Sequence, residues 1–188
     1  MLTIHRPFDV EREVMTDPMR YPIGDFDLTA VTPALRASAI DAIAELPARL
    51  REAVRGLNDT QLDTAYRPGG WTVRQLVHHI ADSHMNGFVR VKLALTENAP
   101  TIKPYDEKTF ADLPDMRLPI EPSLVILDGL HTRWVAIYRG LSPEQFERTF
   151  FHPEHGRTFT LEQHAQSYGW HCRHHLAHIT SLRKRQGW

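Results

Sequence analysis

The stretch TVRQLVHHIADSHMNGFVRVKLAL, residues 72–95, shows how this chain folds. Thr72 and Gln75 form the capping-box pattern with which many helices begin. Apolar residues then recur at helical spacing along one face: Val73, Leu76, Val77, Ile80, Phe88, Val91 and Leu95. We therefore expect one long amphipathic helix here, and it carries the first of two histidine clusters.

Other segments of the chain show the same helical periodicity. Thr32 followed by Pro33 is a typical start for one of them, and Pro47 is expected to kink or split that helix. Near the C-terminal end, Thr160 and Gln163 repeat the capping-box pattern before another apolar stripe. A further helix is expected between these two.

That further helix begins at Pro122, so the chain contains four long helices and no convincing run of alternating strand residues. An all-α four-helix bundle is the predicted fold class. Residues 98–121 would form a long crossover loop, and residues 152–158 an exposed turn or hairpin. We expect residues 1–30 to be an irregular leader packed on the bundle, and residues 31–188 to be the bundle, without a second domain.

The amino-acid composition argues against several classes of protein. The 22 basic and 23 acidic residues of the 188 nearly cancel, and no basic surplus suggests a nucleic-acid partner. No apolar run approaches the roughly 20 residues of a membrane span, and the N-terminus lacks the apolar core of a signal peptide, so we expect a cytoplasmic protein. The single cysteine, Cys172, can form neither an internal disulfide nor a thiolate metal site. A metal would therefore need nitrogen and oxygen ligands.

Histidine is the unusual residue of this chain. Seven of the 12 histidines lie in two short clusters, HHIADSH from His78 and HCRHHLAH from His171. Side chains four residues apart share one face of a helix, so two histidines at that spacing can present ring nitrogens to one ion. In the second cluster, His171 and His175 are expected to face the bundle, while His174 leans outward.

Helical periodicity alone does not decide which histidine is the third ligand. His84 lies inside the apolar stripe of its helix and is favoured by that criterion, while His79 lies just beyond one edge and His78 further round. Three imidazoles suit zinc, and also nickel or ferrous iron, and leave coordination positions free for water or substrate. The competing interpretation is that these histidines pack and hydrogen-bond without binding metal.

The chain resembles the DinB-like superfamily of metal-binding four-helix bundles, and specifically its YfiT branch, named for a suspected metal-dependent hydrolase. The resemblance extends from Tyr21 to Trp188. It is carried by YPIGDF (21–26), QLDTAYRPGGWTVRQLVHHIADSHMN (61–86), RVKLALTENAP (90–100), PYDEK (104–108) and WHCRHHLAHIT (170–180). The resemblance implies that the metal ligands are the second histidine of the HH pair and both histidines of W-H-x-x-x-H, here His79, His171 and His175. His79 therefore replaces His84 as the expected third ligand.

The resemblance also implies a function and partners. We expect a metal-dependent hydrolase that uses one divalent ion per chain, preferably zinc, to activate water against a small-molecule substrate. Independently of the resemblance, the proximity of Asp82 and His84 to His79 in the sequence suggests that one of them relays the proton. One alternative is a low-molecular-weight thiol (bacillithiol-type) S-transferase at the same metal. A second alternative is a non-catalytic metal-binding stress-response module. Relatives of this kind tend to be homodimers, so we expect a homodimer here.

Residues outside the ligand set also have expected roles. His78, His174 and His178 are expected to neighbour the site. Cys172 lies in the apolar stripe of its helix and is interpreted as a core residue. Tyr105, with the two acidic residues that follow it, would close over a substrate as a lid if the crossover is not simply a solvated loop.

Overall fold

The computed structural model describes residues 17–188 of the chain. The four long helices form a bundle, in which α1 packs against α5 and α7, and α3 packs against the same two helices. The helices are α1 (Arg36–Val54), α2 (Asp59–Leu62), α3 (Val73–Thr96), α4 (Glu107–Phe110), α5 (Glu121–Gly140), α6 (Pro143–Phe146) and α7 (Leu161–Gln186). The predicted four-helix bundle is confirmed.

Both helices that carry the histidine clusters begin where their capping boxes predict. The Thr72 hydroxyl accepts a hydrogen bond from the Gln75 N–H (3.1 Å), and the Gln75 side chain accepts one from the Thr72 N–H (3.0 Å). Thr160 and Gln163 make the same reciprocal pair at the start of α7. These caps satisfy backbone donors that a helix start leaves unpaired, and they fix where α3 and α7 begin.

Helix α1 runs without a break through Pro47, so of the two outcomes expected at this residue the split is wrong. Proline has no N–H to donate to the carbonyl four residues earlier, which here belongs to Ile43. The ring Nδ1 of His131, on α5, makes the hydrogen bond to that carbonyl instead. A side chain of a neighbouring helix therefore replaces the missing backbone donor, and the helix continues.

The segment predicted as a turn or hairpin is a β-hairpin. Strands β1 (Thr149–His152) and β2 (Arg157–Thr160) pair antiparallel, with Phe150 opposite Phe159 and those two rings stacked at 5.8 Å. No convincing strand is visible in the sequence, because strands of four residues are too short to establish an alternating pattern. The small sheet lies between α6 and α7 and leaves the helical class unchanged.

Two segments outside the four long helices cover the bundle. Residues 98–121 form the crossover from α3 to α5 and contain α4 and a 3-10 turn at Pro114–Arg117. Residues 17–30 contain turns and one 3-10 turn, and they reach α7, where the Trp170 indole donates to the Gly24 carbonyl (3.3 Å). The first sixteen residues of the predicted leader lie outside the described residues. No described helix is long and apolar enough to cross a membrane.

Candidate metal centre

Three histidines from two helices come together inside the bundle. His79 extends from α3, while His171 and His175 lie one turn apart on α7. The His79 ring lies 5.6 Å from the His171 ring and 5.1 Å from the His175 ring, centroid to centroid. One nitrogen from each of the three residues can be chosen so that all lie within 4.8 Å of one another.

The donor set fits a divalent ion. The Nε2 atoms of His171 and His175 are 3.0 Å apart. Zinc–nitrogen bonds of about 2.0–2.1 Å at tetrahedral angles bring two ligand nitrogens to about 3.3 Å, close to this separation. The Nδ1 atom of His175 is buried without a hydrogen-bond partner among the described residues. This is the other ring nitrogen of His175, so the fit to an ion rests on the Nε2 separation and on the chemistry of three imidazole donors.

Burial keeps these imidazoles neutral. It lowers the pKa of His79 to about 4, and it lowers the pKa values of His171 and His175 well below the ordinary value, with neighbouring histidine rings adding to the effect. His79 is 4% exposed and His175 7%, whereas His171 is half-buried. Neutral imidazoles carry the lone pairs that bind metal, so no proton has to be displaced at pH 7.

His84, the residue that periodicity alone favours, lies behind the cluster. Its Nε2 is 3.0 Å from Nδ1 of His171, and its Nδ1 is 2.8 Å from Nε2 of His131. Both ring nitrogens are therefore already engaged, and the ring is fully buried. His84 contacts His171 and does not belong to the group formed by the other three residues.

His174, which is expected to lean outward from the bundle, is nevertheless buried. Trp170 stacks on it at 4.3 Å, and Tyr21, from the segment before α1, lies 6.1 Å away. His178 is covered by Tyr66 at 4.1 Å. Helical periodicity places a side chain relative to the other helices of the bundle and takes no account of the irregular segments that cover α7.

His174 and His178 also form a second group of possible ligands together with His175. Their Nε2 atoms are 3.0 Å apart. All three residues lie on one helix, however, and His175 belongs to both groups. The group that includes His79 draws on two helices, so it surrounds a point between them instead of lying along one face.

The remaining predicted neighbours have other roles. His78 bonds to the Ser123 hydroxyl (2.7 Å) and the Leu118 carbonyl (3.1 Å), so it ties α3 to the crossover and the start of α5. Cys172 is fully buried in the core, as predicted, and burial raises the pKa of its thiol. Neither residue is among the possible metal ligands.

One carboxyl group lies close along the chain to this cluster. Asp82 follows His79 by three residues on α3 and therefore shares its face of the helix. Asp82 is half-buried, and burial, helped by the negative charge of Asp115, raises the pKa of its carboxyl to about 6. In the sequence, only its proximity to His79 along the chain marks Asp82 as a candidate. Its perturbed pKa is a property that only the folded surroundings reveal.

Comparison with known proteins identifies relatives. The DinB superfamily model matches residues 42–179. A protein of Oceanobacillus iheyensis, named a "putative metal-dependent hydrolase", is 52% identical over 170 residues, which cover 90% of this chain and 98% of that protein. A protein of Bacillus mycoides with the same description is 53% identical over 171 residues, with the same coverage.

A solved structure is also similar. YfiT from Bacillus subtilis, described as a probable metal-dependent hydrolase with an unusual four-helix bundle topology, superimposes with a TM-score of 0.87 at 46% sequence identity. The match covers 92% of this chain and 99% of that chain. Fold and sequence therefore point to the same group of proteins.

Proposed function

The chain belongs to the DinB superfamily, and we propose that it is a metal-dependent hydrolase whose single divalent ion is held by His79, His171 and His175. The observation that carries the proposal is the meeting of three neutral imidazoles from two helices, with ligand atoms within 4.8 Å of one another. The names of the relatives support an enzyme of this class.

We propose zinc as the ion, because catalytic zinc sites commonly use three histidine nitrogens. The same three donors also suit nickel and ferrous iron. When bound, such an ion supplies Lewis acidity, which polarises a carbonyl oxygen and activates water at neutral pH. Three protein ligands leave coordination positions open, which distinguishes a catalytic site from a saturated structural one. His171 is the half-buried ligand, and it marks the side from which a small molecule would approach.

Asp82 is the proposed general base. With a pKa of about 6, its carboxyl is mostly ionised at pH 7, and its basicity is well above that of an ordinary aspartate. The carboxylate takes the proton that water gives up as its oxygen bonds to the carbonyl carbon of an ester or amide. The same carboxyl returns that proton to the leaving oxygen or nitrogen when the acyl bond breaks.

A hydrolysis assay tests the proposal. Untagged protein is freed of metal, reloaded with zinc, nickel or iron(II), and supplied with small esters and amides, with and without a low-molecular-weight thiol such as cysteine. We expect hydrolysis that depends on metal and is lost in His79→Gln. Asp82→Asn should keep its metal and lose about 10²- to 10⁴-fold in kcat, and wild-type activity should rise as the pH passes through about 6, as the carboxyl ionises.

Two outcomes contradict the proposal. Hydrolysis that His79→Gln leaves intact would place the chemistry elsewhere in the protein. Consumption of an electrophilic substrate only when the thiol is present, with formation of a thioether, would assign an S-transferase to the same ligands.

A further inference from the structure

A line of three imidazole rings runs from the metal centre to the backbone of α1. Nδ1 of His171 is 3.0 Å from Nε2 of His84. Nδ1 of His84 is 2.8 Å from Nε2 of His131, and Nδ1 of His131 bonds to the Ile43 carbonyl. The line therefore joins helices α7, α3, α5 and α1 in that order.

The last hydrogen bond of this line, from His131 to the Ile43 carbonyl, is possible because residue 47 is a proline. In a regular helix the N–H of residue 47 would donate to the carbonyl of residue 43. Pro47 has no N–H, so the Ile43 carbonyl is left without its helical donor inside the core. A buried carbonyl without a donor is costly, and His131 removes that cost by donating its Nδ1–H.

A carbonyl oxygen can only accept, and this fixes the direction of every bond in the line. The proton of His131 must be on Nδ1, so its Nε2 carries a lone pair and accepts the Nδ1–H of His84. The Nε2 of His84 then accepts the Nδ1–H of His171. The lone pair of His171 is thereby left on Nε2, the atom 3.0 Å from Nε2 of His175.

These bond directions hold when His84 and His131 each carry one proton. His84 is 0% exposed and His131 2%, and neither ring hydrogen-bonds to a carboxylate among the described residues. A second proton on either ring would place in the core a cation to which no carboxylate is hydrogen-bonded, which is strongly unfavourable. The neutral form of each ring has one donor and one acceptor, which are the two groups that the line uses.

We propose that His131 and His84 are positioning residues, which hold His171 as its Nδ1–H tautomer and thereby direct its Nε2 lone pair to the metal. The proposal rests on the metal centre proposed above and concerns residues outside its ligand set. Partners that bond to the far nitrogen of a metal-bound histidine fix its tautomer and ring orientation, and losing them typically weakens metal binding about 10- to 100-fold. In this protein the orienting group is a pair of histidines anchored at a carbonyl freed by proline.

The test uses the full-length untagged protein and measures its Kd for zinc by competition with a chelator. His131→Phe keeps a ring and removes both hydrogen bonds, so we expect its Kd to rise about 10- to 100-fold. His131→Gln offers an amide N–H to Ile43 and an amide oxygen to His84, so its Kd should stay near that of wild type. His164→Phe is the matched control, because His164 is a buried α7 histidine that bonds to Tyr138 and is not part of the line.

The second measurement is nitrogen-15 NMR of the histidine rings in the metal-free wild-type protein. Its main result does not depend on whether any variant folds. We expect His171 to carry its proton on Nδ1, and His131→Gln to preserve that state. A proton on Nε2 of metal-free His171, or a zinc Kd that His131→Phe leaves unchanged, would overturn the positioning role. Failure of wild type to bind zinc would overturn the proposed metal centre instead, while the NMR measurement would still decide the tautomer.

Discussion

Zinc should raise the thermal stability of this protein by an amount that depends on His171. A ligand that binds only the folded state stabilises it by RT ln(1 + [L]/Kd), which is about 2.7 kcal/mol at 100 times the Kd. For a domain of 188 residues, each kcal/mol corresponds to roughly 2–4 °C in Tm. We therefore expect zinc at that concentration to raise the Tm of wild type by about 5–10 °C.

The informative variant is His171→Ala. His171 is only partly buried, and the bundle should keep its helical content in this variant without metal. If losing one of three ligands raises the Kd at least 100-fold, the same free zinc contributes at most about 0.4 kcal/mol, and the Tm rises by only about 1–2 °C. His155→Ala, at an exposed histidine of the hairpin turn, is the control and should keep the full rise.

Differential scanning calorimetry with and without zinc measures both values. Zinc also binds histidines of the unfolded chain, and comparing two variants that each lack one histidine largely cancels that contribution. A full Tm rise in His171→Ala, or an equal loss in His155→Ala, would refute the ligand assignment.

Three further predictions concern the packing and assembly of the bundle. Cys172 should not react with a thiol reagent in the native protein and should react on unfolding, as a colorimetric thiol assay would show, because it is fully buried and burial raises its pKa. Gly87→Ala should lower stability by about 1–3 kcal/mol in urea unfolding, because its Cβ would lie 2.4 Å from the Tyr168 ring and 2.7 Å from Trp134. Gly129→Ala, in open space on α5, should instead gain about 0.4–1 kcal/mol, and a similar loss in both would exclude the steric explanation. Light scattering at micromolar concentration should give the mass of a homodimer, and a monomer there would contradict that expectation.

The fold could be predicted from sequence where local chemistry decides it. The capping boxes at Thr72 and Thr160 satisfy backbone donors within four residues, so they are visible in the sequence and begin helices as expected. Pro47 was misjudged because the cost of proline depends on whether another donor replaces the lost N–H. That donor is His131, 84 residues later in the chain, and no local pattern connects the two.

At the candidate site, helical periodicity can predict that a ring is buried but not that it can bind the metal. The apolar stripe of α3 measures how deeply a ring is buried, and by that measure His84 is the best candidate. It does not show what each ring nitrogen faces, and both nitrogens of His84 face other histidines. The burial of His174 has a related cause, since the segment that carries Tyr21 covers it and has no periodic pattern of its own. The resemblance to known proteins, and not periodicity, selected His79.

The most direct test of the central claim is elemental analysis of protein purified without a metal-affinity tag, comparing wild type with His175→Ala. His175 contributes the nitrogen 3.0 Å from that of His171, so its loss removes one of the two α7 ligands. We predict about one zinc, nickel or iron per wild-type chain and almost none in the variant. Equal metal content in the two proteins, or none in either, would contradict a centre built on these three histidines.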